Sequence, residues 1–299
     1  MKRVSSSLRI RQKQNWGRMF VLPCFLIIAV FVAYPLCYTL YLSLCDYNFA
    51  FDLKPTFVGL QNYIDMFQDD KFVIALKNTL VFALADFTLL MVVPLVLALI
   101  LFFKRKRTRI FRTAIFVPIV VPASLICIVF TWMFSKDYGI INQFLINVLH
   151  LPGLARSWLT SSDTALACLV VVSLWCNIGF SVMLYLAGLQ AISPDILEAA
   201  DMDGATGLKK ITRIILPNLK QTYILTGINA TVTALKVFVE PSVMTNGGPG
   251  TATIVLYQYI YTTAFKYYDL GYAAAMAFLL SVLILIVSMI NFMINSRKD

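Results

Sequence analysis

Residues 77–103, KNTLVFALADFTLLMVVPLVLALILFF, form an apolar stretch in which Lys77 and Asp86 are the only charged side chains. At about 1.5 Å of rise per residue, a helix of this length crosses the ~30 Å hydrocarbon core of a bilayer. Backbone N–H and C=O groups in lipid must be satisfied within the segment, which favours a helix. The stretch is therefore predicted to be a transmembrane helix.

Five further stretches share this character. They lie at 19–44, 113–134, 165–188, 219–241 and 272–294. The 299-residue chain is 60% hydrophobic and 13% charged, which leaves too few polar residues to cover a water-soluble globule. We therefore predict an all-α polytopic membrane protein with six transmembrane helices. Prolines inside the second and third stretches predict kinks there, at Pro94, Pro118 and Pro122.

Lys and Arg residues divide unevenly between the two sides of this membrane domain. The amino-terminal segment, the 104–112 loop, the 189–220 segment and the tail hold eighteen of them, whereas the three alternate loops hold five. An excess of basic residues marks cytoplasmic loops, so both termini are predicted to be cytoplasmic. Topology and contact with anionic lipid headgroups then account for the net charge of +10. Nucleic acid is not needed as a partner.

The sequence shows no pattern typical of an enzyme. The six cysteines include no CxxC pair, and His150 is the single histidine. No P-loop motif is present, because GATGLKK at 204–210 has the wrong spacing and follows no strand. We therefore expect no catalytic residues, no metal site and no cofactor bound by this chain.

A charged, glycine-containing island, EAADMDGATGLKKITRIILPNL at 198–219, separates two apolar stretches. Ser193 suits the N-cap of a helix and Pro194 its first position, so a helix is predicted to begin there and to end at Gly204. A second short helix is predicted at about 207–215. The island is either a solvated connection between two transmembrane helices or a stiff segment that transmits a force to the second of them.

The predicted first helix of the island has two distinct faces. At about 100° per residue, Ala199 and Ala200 lie on a face of small residues, and Glu198 lies on an acidic face. Small residues permit the close approach of another backbone. This pattern favours contact with a partner over simple solvation.

The residues Glu198-Ala199-Ala200, Gly204, Ile214 and Leu216-Pro217 reproduce an E-A-A-x3-G-x9-I-x-L-P signature. This signature resembles that of the permease subunits of binding-protein-dependent ABC importers, and DGA at 203–205 is similar to the sugar-permease branch of the maltose and glycerol-phosphate importers. Other similar elements follow in order along the chain: YPL (34–36), SLCDY (43–47), FVGLQNY (57–63), NTL (78–80), FVPIVVPA (116–123), GIIN (139–142), GLQAI (188–192) and TNGGPGTAT (245–253). The sequence departs from the family pattern at Leu208, Ile211 and Lys220.

The resemblance implies that the island contains a coupling helix, between transmembrane helices 4 and 5, which docks on a cytoplasmic ATPase. It assigns ATPase coupling to Glu198, Ala199, Ala200, Asp203, Gly204 and Pro217. It also implies a bacterial cytoplasmic membrane location. The implied domains are a cytoplasmic segment at 1–18, a permease domain at 19–294 with a coupling loop at 189–218, and a cytoplasmic tail at 295–299.

The resemblance further implies the machine in which this chain works. The partners are a second permease subunit that forms a heterodimer with it, two cytoplasmic ATPase subunits that bind ATP and Mg²⁺, and an extracytoplasmic solute-binding protein. The function implied is a translocation pathway for a mono- or oligosaccharide. The alternatives are a permease for glycerol phosphate or another polyol, and a stand-alone channel or receptor.

Polar residues recur at helical spacing along 219–241, at Thr222, Thr226, Asn229, Thr233, Lys236 and Glu240. Spacings of three and four residues keep them within a stripe of about 80°. Such a stripe bonds to neighbouring helices or lines a water-accessible cavity. Ser173, Asn177 and Ser181 show similar spacing. We predict a substrate pathway formed by Asn177, Ser181, Asn229, Thr233, Lys236 and Glu240.

Three points stay open at the level of the sequence. Lys236 either contacts the solute, extends to the membrane surface or neutralises Glu240. Asp86 either faces the same cavity or pairs with another polar group. Trp175, Phe180 and Tyr185 are candidates for stacking on a sugar, although each is equally suited to packing.

Overall fold

The computed structural model describes residues 21–104 and 109–296, and within these ranges the chain is predominantly helical. The predicted amino-terminal segment at 1–18, part of the basic loop at 105–108, and residues 297–299 of the predicted tail lie outside the described residues. The helices are α1 (Val21–Ser43), α2 (Gln61–Gln68), α3 (Asp70–Phe103), α4 (Arg109–Val120), α5 (Ala123–Met133), α6 (Ile140–Asn147), α7 (Ser162–Gln190), α8 (Pro194–Met202), α9 (Gly207–Lys210), α10 (Leu216–Asn218), α11 (Lys220–Leu235), α12 (Leu256–Phe265) and α13 (Leu270–Ser296). The described residues also form two short strands, β1 (Cys45–Asp46) and β2 (Thr56–Phe57), a 3-10 turn at Pro152–Leu154, and π turns at Ile211–Ile215 and Pro241–Thr245.

Among the described residues, four helices are long and apolar enough to cross a membrane, namely α1, α3, α7 and α13. A fifth crossing results if α4 and α5 count as one bent span. The predicted span at 219–241 forms α11, a helix of 16 residues and so about 24 Å long. Six membrane crossings therefore stay a prediction.

The predicted helix at 113–134 divides into α4 and α5, which are bent by 107°. The break lies at Val121 and Pro122, and Pro122 has the non-helical dihedrals φ −55° and ψ 131°. Proline lacks an N–H donor and disfavours helical geometry for the residue before it, so the helix ends there. The predicted kink is thus a full break. Pro94, by contrast, lies within the continuous helix α3.

The second difference concerns the predicted helix at 219–241. Helix α11 ends at Leu235, residues 236–238 lie outside any helix, and helical structure resumes at Val239 and continues as a π turn at Pro241–Thr245. Lys236 still donates its backbone N–H to Val232 O, but the backbone then leaves the helix. The register predicted for the polar stripe is therefore lost after Leu235.

The chain folds as two compact units, the first of which contains residues up to Asp65 together with Thr263–Phe278. In this unit β1 and β2 form an antiparallel ladder, which the all-α prediction did not include. The buried Asn62 amide donates to the carbonyls of Ser43 at 3.0 Å and Cys45 at 2.8 Å. These bonds satisfy backbone groups where α1 gives way to the strand.

The second unit contains Met66–Thr262 and the residues from Leu279 onward. In it α3 packs along α7 and α11, and α4 packs on α7. Two apolar clusters form its core. One surrounds Phe82, Leu169 and Val172, and the other surrounds Tyr185, Leu189 and Ile215.

Candidate functional site

A cavity of about 670 Å³ lies in the second unit, where residues 118–126, 173–180 and 232–240 meet. Four of the six predicted pathway residues line it, namely Asn177, Thr233, Lys236 and Glu240. Ser181 and Asn229 are not part of its wall, and Ser181 is fully buried. Since the helical register ends at Leu235, the structure brings the four residues together by packing of separate segments.

Both broken helices contribute to this wall. Pro118, Pro122 and Ala123 come from the bend between α4 and α5, and Lys236 and Glu240 come from the segment after α11. Non-helical backbone at membrane depth is tolerated where it is buried in protein or lines a water-filled cavity. The two breaks thus open the backbone at one cavity, whose wall combines apolar residues with Ser173, Asn177, Thr233, Lys236 and Glu240.

The ionisable residues at the cavity occupy different environments. Lys236 is exposed, whereas the Glu240 side chain is 7% exposed. They form no ion pair, because the break at Leu235 removes the helical spacing that would align them. Asp86 is fully buried on α3 and interacts electrostatically with Ser173 and Glu240, which both line the cavity. Asp86 thus lies behind the wall and does not form part of it.

Hydrogen bonds fix part of the wall contributed by α7. The Asn177 amide nitrogen donates to the Ser173 backbone carbonyl at 2.9 Å, and it lies 3.5 Å from the Ser173 hydroxyl. Ser173 is almost fully buried. The amide of Asn177 is therefore held along the helix surface, beside the cavity.

Of the three aromatic candidates, only Phe180 lines the cavity. Trp175 packs against Phe130 with ring centroids 6.3 Å apart, and the fully buried Tyr185 donates its hydroxyl to Met91 O at 3.1 Å. Phe238 also lines the cavity, and the sequence analysis missed it because it lies in the non-helical segment. Pro118 and Pro122 were the sequence features that indicated the part of the wall contributed by the bend between α4 and α5.

The charged island forms two short helices, α8 and the helical segment 207–218, and residues 193–218 are called the elbow below. Helix α8 begins at Pro194, and the Ser193 hydroxyl accepts a hydrogen bond from the Asp195 N–H at 3.3 Å. Asp195 also places a negative charge in the first turn, where the helix dipole favours it. The start of α8 at Pro194 is confirmed, and its coupling role stays a prediction.

A Schellman motif ends α8. The Ala205 N–H donates to Ala200 O at 2.9 Å, and the Gly204 N–H donates to Asp201 O at 3.1 Å. Gly204 adopts φ +71°, the left-handed conformation that this motif requires. Glycine adopts this conformation without the steric cost that a Cβ atom brings. The predicted end at Gly204 therefore has a specific backbone cause.

Five of the six predicted coupling residues are exposed on the elbow, and Ala200 is buried. Glu198, Ala199, Asp203 and Gly204 lie on or directly after α8, whereas Pro217 lies in α10. Two apolar side chains outside this predicted set are also highly exposed. Met202 is 89% exposed and Leu208 is 75% exposed. Together these residues form an accessible surface around the turn at Gly204.

Apolar packing joins the elbow to the helices that it connects. Ile192, Leu197, Ile211 and Ile215 belong to the cluster that contains residues of α3 and α7. At the base of the elbow, Gly188 of α7 lies so close to Thr222 of α11 that a Cβ atom would collide with the Thr222 hydroxyl. The elbow therefore rests on two helices that touch each other.

The TNGGPGTAT element forms a second glycine-rich turn, and residues 245–254 are called the 245–254 loop below. The hydroxyls of Thr245 and Thr253 lie 2.7 Å apart, and Thr253 also donates to Gly248 O at 2.7 Å. Asn246 and Gly247 adopt φ +49° and +85°. Internal bonds therefore define this turn.

The NTL element at 78–80 holds the 245–254 loop against α3. The Asn78 amide donates to Thr251 O at 2.9 Å and to Ile254 O at 3.0 Å. The fully buried Thr79 hydroxyl donates to Ala75 O at 2.7 Å and accepts from the Leu256 N–H at 2.8 Å. Two sequence elements about 170 residues apart thus form one structural unit, which spacing along the chain did not reveal.

The apolar helices and the cavity between broken helices are features of an integral membrane protein. Residues 72–299 match the family described as "Binding-protein-dependent transport system inner membrane component", and the chain belongs to this family. Family membership agrees with a multi-pass inner-membrane protein. It does not favour a stand-alone channel or receptor.

Similar proteins are permeases of ABC transporters. The chain is 33% identical over 284 residues to the probable ABC transporter permease protein YurN of Bacillus subtilis (strain 168), covering 94% of this chain and 96% of YurN. It is 31% identical over 281 residues to the sulfoquinovosyl glycerol transport system permease protein SmoG of Agrobacterium fabrum, covering 94% of this chain and 90% of SmoG. The resemblance to importer permeases is thereby confirmed. Permease subunits are not themselves enzymes, which is consistent with ATP hydrolysis on a separate subunit.

A solved structure has the same fold. It is a chain of a bacterial ABC transporter involved in the import of the acidic polysaccharide alginate, with a TM-score of 0.82 and 22% sequence identity. The match covers 98% of this chain and 99% of that chain. A likeness at this level of identity establishes the permease fold.

Proposed function

We propose that this chain forms the translocation pathway of an ABC importer for a carbohydrate and that a separate ATPase subunit drives it. The observation that supports this most directly is the cavity at which two broken helices meet. Its size falls within the ~300–1,000 Å³ typical of small-molecule sites. The relative SmoG, whose name specifies a sugar glycoside, supports a carbohydrate as the solute.

The residues around the cavity suit a hydroxyl-rich solute. Asn177, Thr233 and Glu240 offer hydrogen-bonding groups, and Phe180 and Phe238 offer apolar ring surface. Sugars present hydroxyls at their edges and C–H groups on their faces, so both kinds of group contribute to binding. Lys236 adds three N–H donors on the same side as Glu240.

The elbow is the surface proposed for the ATPase. Glu198 would pair with a basic residue of that subunit, while Ala199 permits close approach of the two backbones. Closure of the ATPase would push the elbow, and the apolar contacts of Ile211 and Ile215 would pass this movement to the core of the second unit. ATP and Mg²⁺ would bind to the ATPase subunits alone.

The complete machine proposed contains this chain, a second and non-identical permease, two cytoplasmic ATPase subunits and an extracytoplasmic solute-binding protein. Both termini of this chain would be cytoplasmic, which would place the elbow inside and the 245–254 loop outside. The exposed Tyr138 would then lie on the outer surface. The cavity would open to the two sides in alternation.

Two alternatives are less favoured. A phosphorylated polyol could pair with Lys236, but among the described residues that line the cavity this is the one cationic side chain, so a phosphate group with up to two charges would be only partly neutralised. A stand-alone channel would need no ATPase surface, and its relatives would not be importer permeases.

Reconstitution tests this proposal. The chain would be assembled in liposomes with a second permease, an ATPase and a binding protein encoded near it. Uptake would be measured for neutral mono- and oligosaccharides and for glycerol 3-phosphate. Sugar uptake that requires both ATP and the binding protein supports the proposal. Ion conductance without ATP, or uptake of glycerol 3-phosphate alone, contradicts it.

A matched pair of variants tests the cavity. Thr233→Leu should change the apparent KM or the rate of uptake while complex assembly stays intact, because Thr233 lines the cavity. Asn229→Leu alters the same polar stripe of α11 outside the cavity wall and serves as the control. If Asn229→Leu alters uptake and Thr233→Leu does not, the cavity is not the pathway.

A further inference from the structure

An ion pair joins the two helices of the elbow. The Lys210 Nζ lies 2.7 Å from Asp201 Oδ1, between the last turn of α8 and the end of α9. The Lys210 side chain is 13% exposed and that of Asp201 is 59% exposed. Partial burial of the ammonium group reduces its screening by water, so the pair is stronger than one between two fully exposed side chains.

The ion pair spans the turn that contains the two glycines of the elbow. Gly204 and Gly207 both adopt positive φ, at +71° and +54°, and no atom lies within 4 Å of the position that a Cβ would take at either one. The Schellman motif fixes the chain only as far as Ala205. Thr206 follows before α9 begins at Gly207, so a direct contact between the helices limits rotation at these two residues.

The remaining contacts of the elbow hold it to the bundle. Leu197 of α8 and Ile211 after α9 both pack on the apolar cluster of α3 and α7. These contacts anchor each helix from one side. The ion pair lies one helical turn after Leu197 and directly before Ile211, and it links α8 and α9 to each other on the side of the turn.

We propose that the Asp201–Lys210 ion pair fixes the angle between α8 and the helical segment 207–218, and that Lys210 is therefore a positioning residue for coupling. This inference rests on the proposed function of the elbow as the ATPase docking surface. A fixed angle presents Glu198 and Leu208 to the ATPase as one rigid surface. Without the pair, part of the ATPase movement would bend the elbow and would not reach the spans.

Distance measurements between spin labels test the structural half of this proposal. Labels on cysteines at Ile196 and Thr212 report the angle between the two helices, with Cys24, Cys37 and Cys176 replaced by alanine to prevent labelling elsewhere. Lys210→Gln and Asp201→Asn should broaden the distance distribution. The double reversal Asp201→Lys with Lys210→Asp should narrow it again. Lys209→Gln, which changes an exposed neighbour of the same charge, is the control.

Transport measurements test the functional half. In the reconstituted importer, Lys210→Gln should lower the number of sugar molecules imported per ATP hydrolysed by roughly two- to fivefold, the range that one partly exposed ion pair can supply. The double reversal should restore this ratio, and Lys209→Gln should leave it unchanged. A merely structural contact would lower the amount of folded protein without changing this ratio.

The outcomes separate this inference from the proposed function. An unchanged distance distribution in Lys210→Gln overturns the fixed angle. A broader distribution with an unchanged ratio overturns the positioning role, while a Glu198 variant that uncouples transport would still support docking. If no elbow variant alters the ratio or the binding of the ATPase, the docking function itself fails.

Discussion

The elbow and the 245–254 loop are both glycine-containing turns between helices of the second unit, yet the structure holds them in different ways. The Asn78 side chain of α3 binds the loop directly through two hydrogen bonds, and the buried hydroxyl of Thr79 binds Leu256, the first residue of the helix that follows the loop. The elbow is anchored by apolar packing on one side, with exposed charged residues on the other. A buried polar clamp tolerates little movement, because breaking it leaves unsatisfied groups. The polar clamp thus holds the loop in position, whereas the elbow has no such clamp among the described contacts, which suits the movement that we propose for it.

The largest effect is expected at the base of the elbow. Gly188→Val should destabilise the protein by about 1–3 kcal/mol or more, because a side chain there collides with Thr222 and approaches Leu219. The thermal midpoint in detergent and the yield of assembled complex would both fall. Gly153→Ala is the control, since no atom lies within 4 Å of that Cβ position. A stable Gly188→Val variant would show that the two helices can separate at the base.

A comparably clear effect is expected where the loop is held. Thr79→Val removes the acceptor of the Leu256 N–H from a buried site and should lower stability by about 1–3 kcal/mol. Thr88→Val is the matched control: Thr88 lies on the same helix and donates to Leu84 O, but it is exposed. Equal thermal midpoints for the two variants would contradict a rigidly held loop.

The turn of the elbow should respond in function more than in stability. Gly204→Ala forces a Cβ into the left-handed region, at a cost of roughly 1–2 kcal/mol. Because the site is exposed, the elbow can rearrange locally while the core stays folded. Uptake and ATPase binding should therefore fall with little change in the thermal midpoint. A large fall in the thermal midpoint with normal uptake and ATPase binding would contradict this expectation, because the turn of the elbow would then matter for stability and not for coupling.

Removal of one acidic side chain from the elbow should have a smaller effect. Glu198→Gln should weaken binding of the ATPase by about fivefold, as expected for the loss of one exposed ion pair. Asp195→Asn, on the same helix and also exposed, is the control. The affinity would be measured by titrating the ATPase onto the permease in nanodiscs. Equal affinities for Glu198→Gln and the wild type would remove this carboxylate from the docking surface.

The smallest effect is expected in the first unit, which contains neither the elbow nor the 245–254 loop. Burial, partly offset by the hydrogen bond from the Tyr272 N–H, raises the pKa of Asp269, and Asp46 and Asp52 raise it further. The folded state then holds this proton at a pH where the unfolded state has lost it. Stability should therefore fall as the pH rises above the ordinary Asp value of 3.8 and through the raised pKa. Asp269→Asn should flatten this part of the curve of thermal midpoint against pH, and an unchanged slope would contradict the shift.

Local backbone rules predicted the elbow well. Ser193, Pro194 and Gly204 act through the N-cap, the first turn and the left-handed C-terminal residue, and each of these effects operates within a few residues of the chain. The apolar stretches likewise predicted helices, because length and composition are sufficient to indicate a membrane span. These parts of the fold follow from short-range chemistry.

The cavity could be predicted only in part. Helical spacing along 219–241 grouped Thr233, Lys236 and Glu240, which line the cavity, with Asn229, which lies on the continuous part of α11 but outside the wall. The end of α11 at Leu235 and the 107° bend at Pro122 depend on packing that satisfies the freed backbone groups. Composition within one segment does not reveal those partners. The contact of Asn78 with the 245–254 loop was missed for the same reason.

The close contact of Gly188 with Thr222 has a mechanical consequence. Helix α7 leads into the elbow and α11 follows it, and the two helices lie side by side there. The base of the elbow is therefore narrow. A narrow base cannot spread when a force is applied at the tip. The force would instead turn both helices about the same pivot, and the Ser173 and Thr233 sides of the cavity, which these helices carry, would swing in a coordinated way.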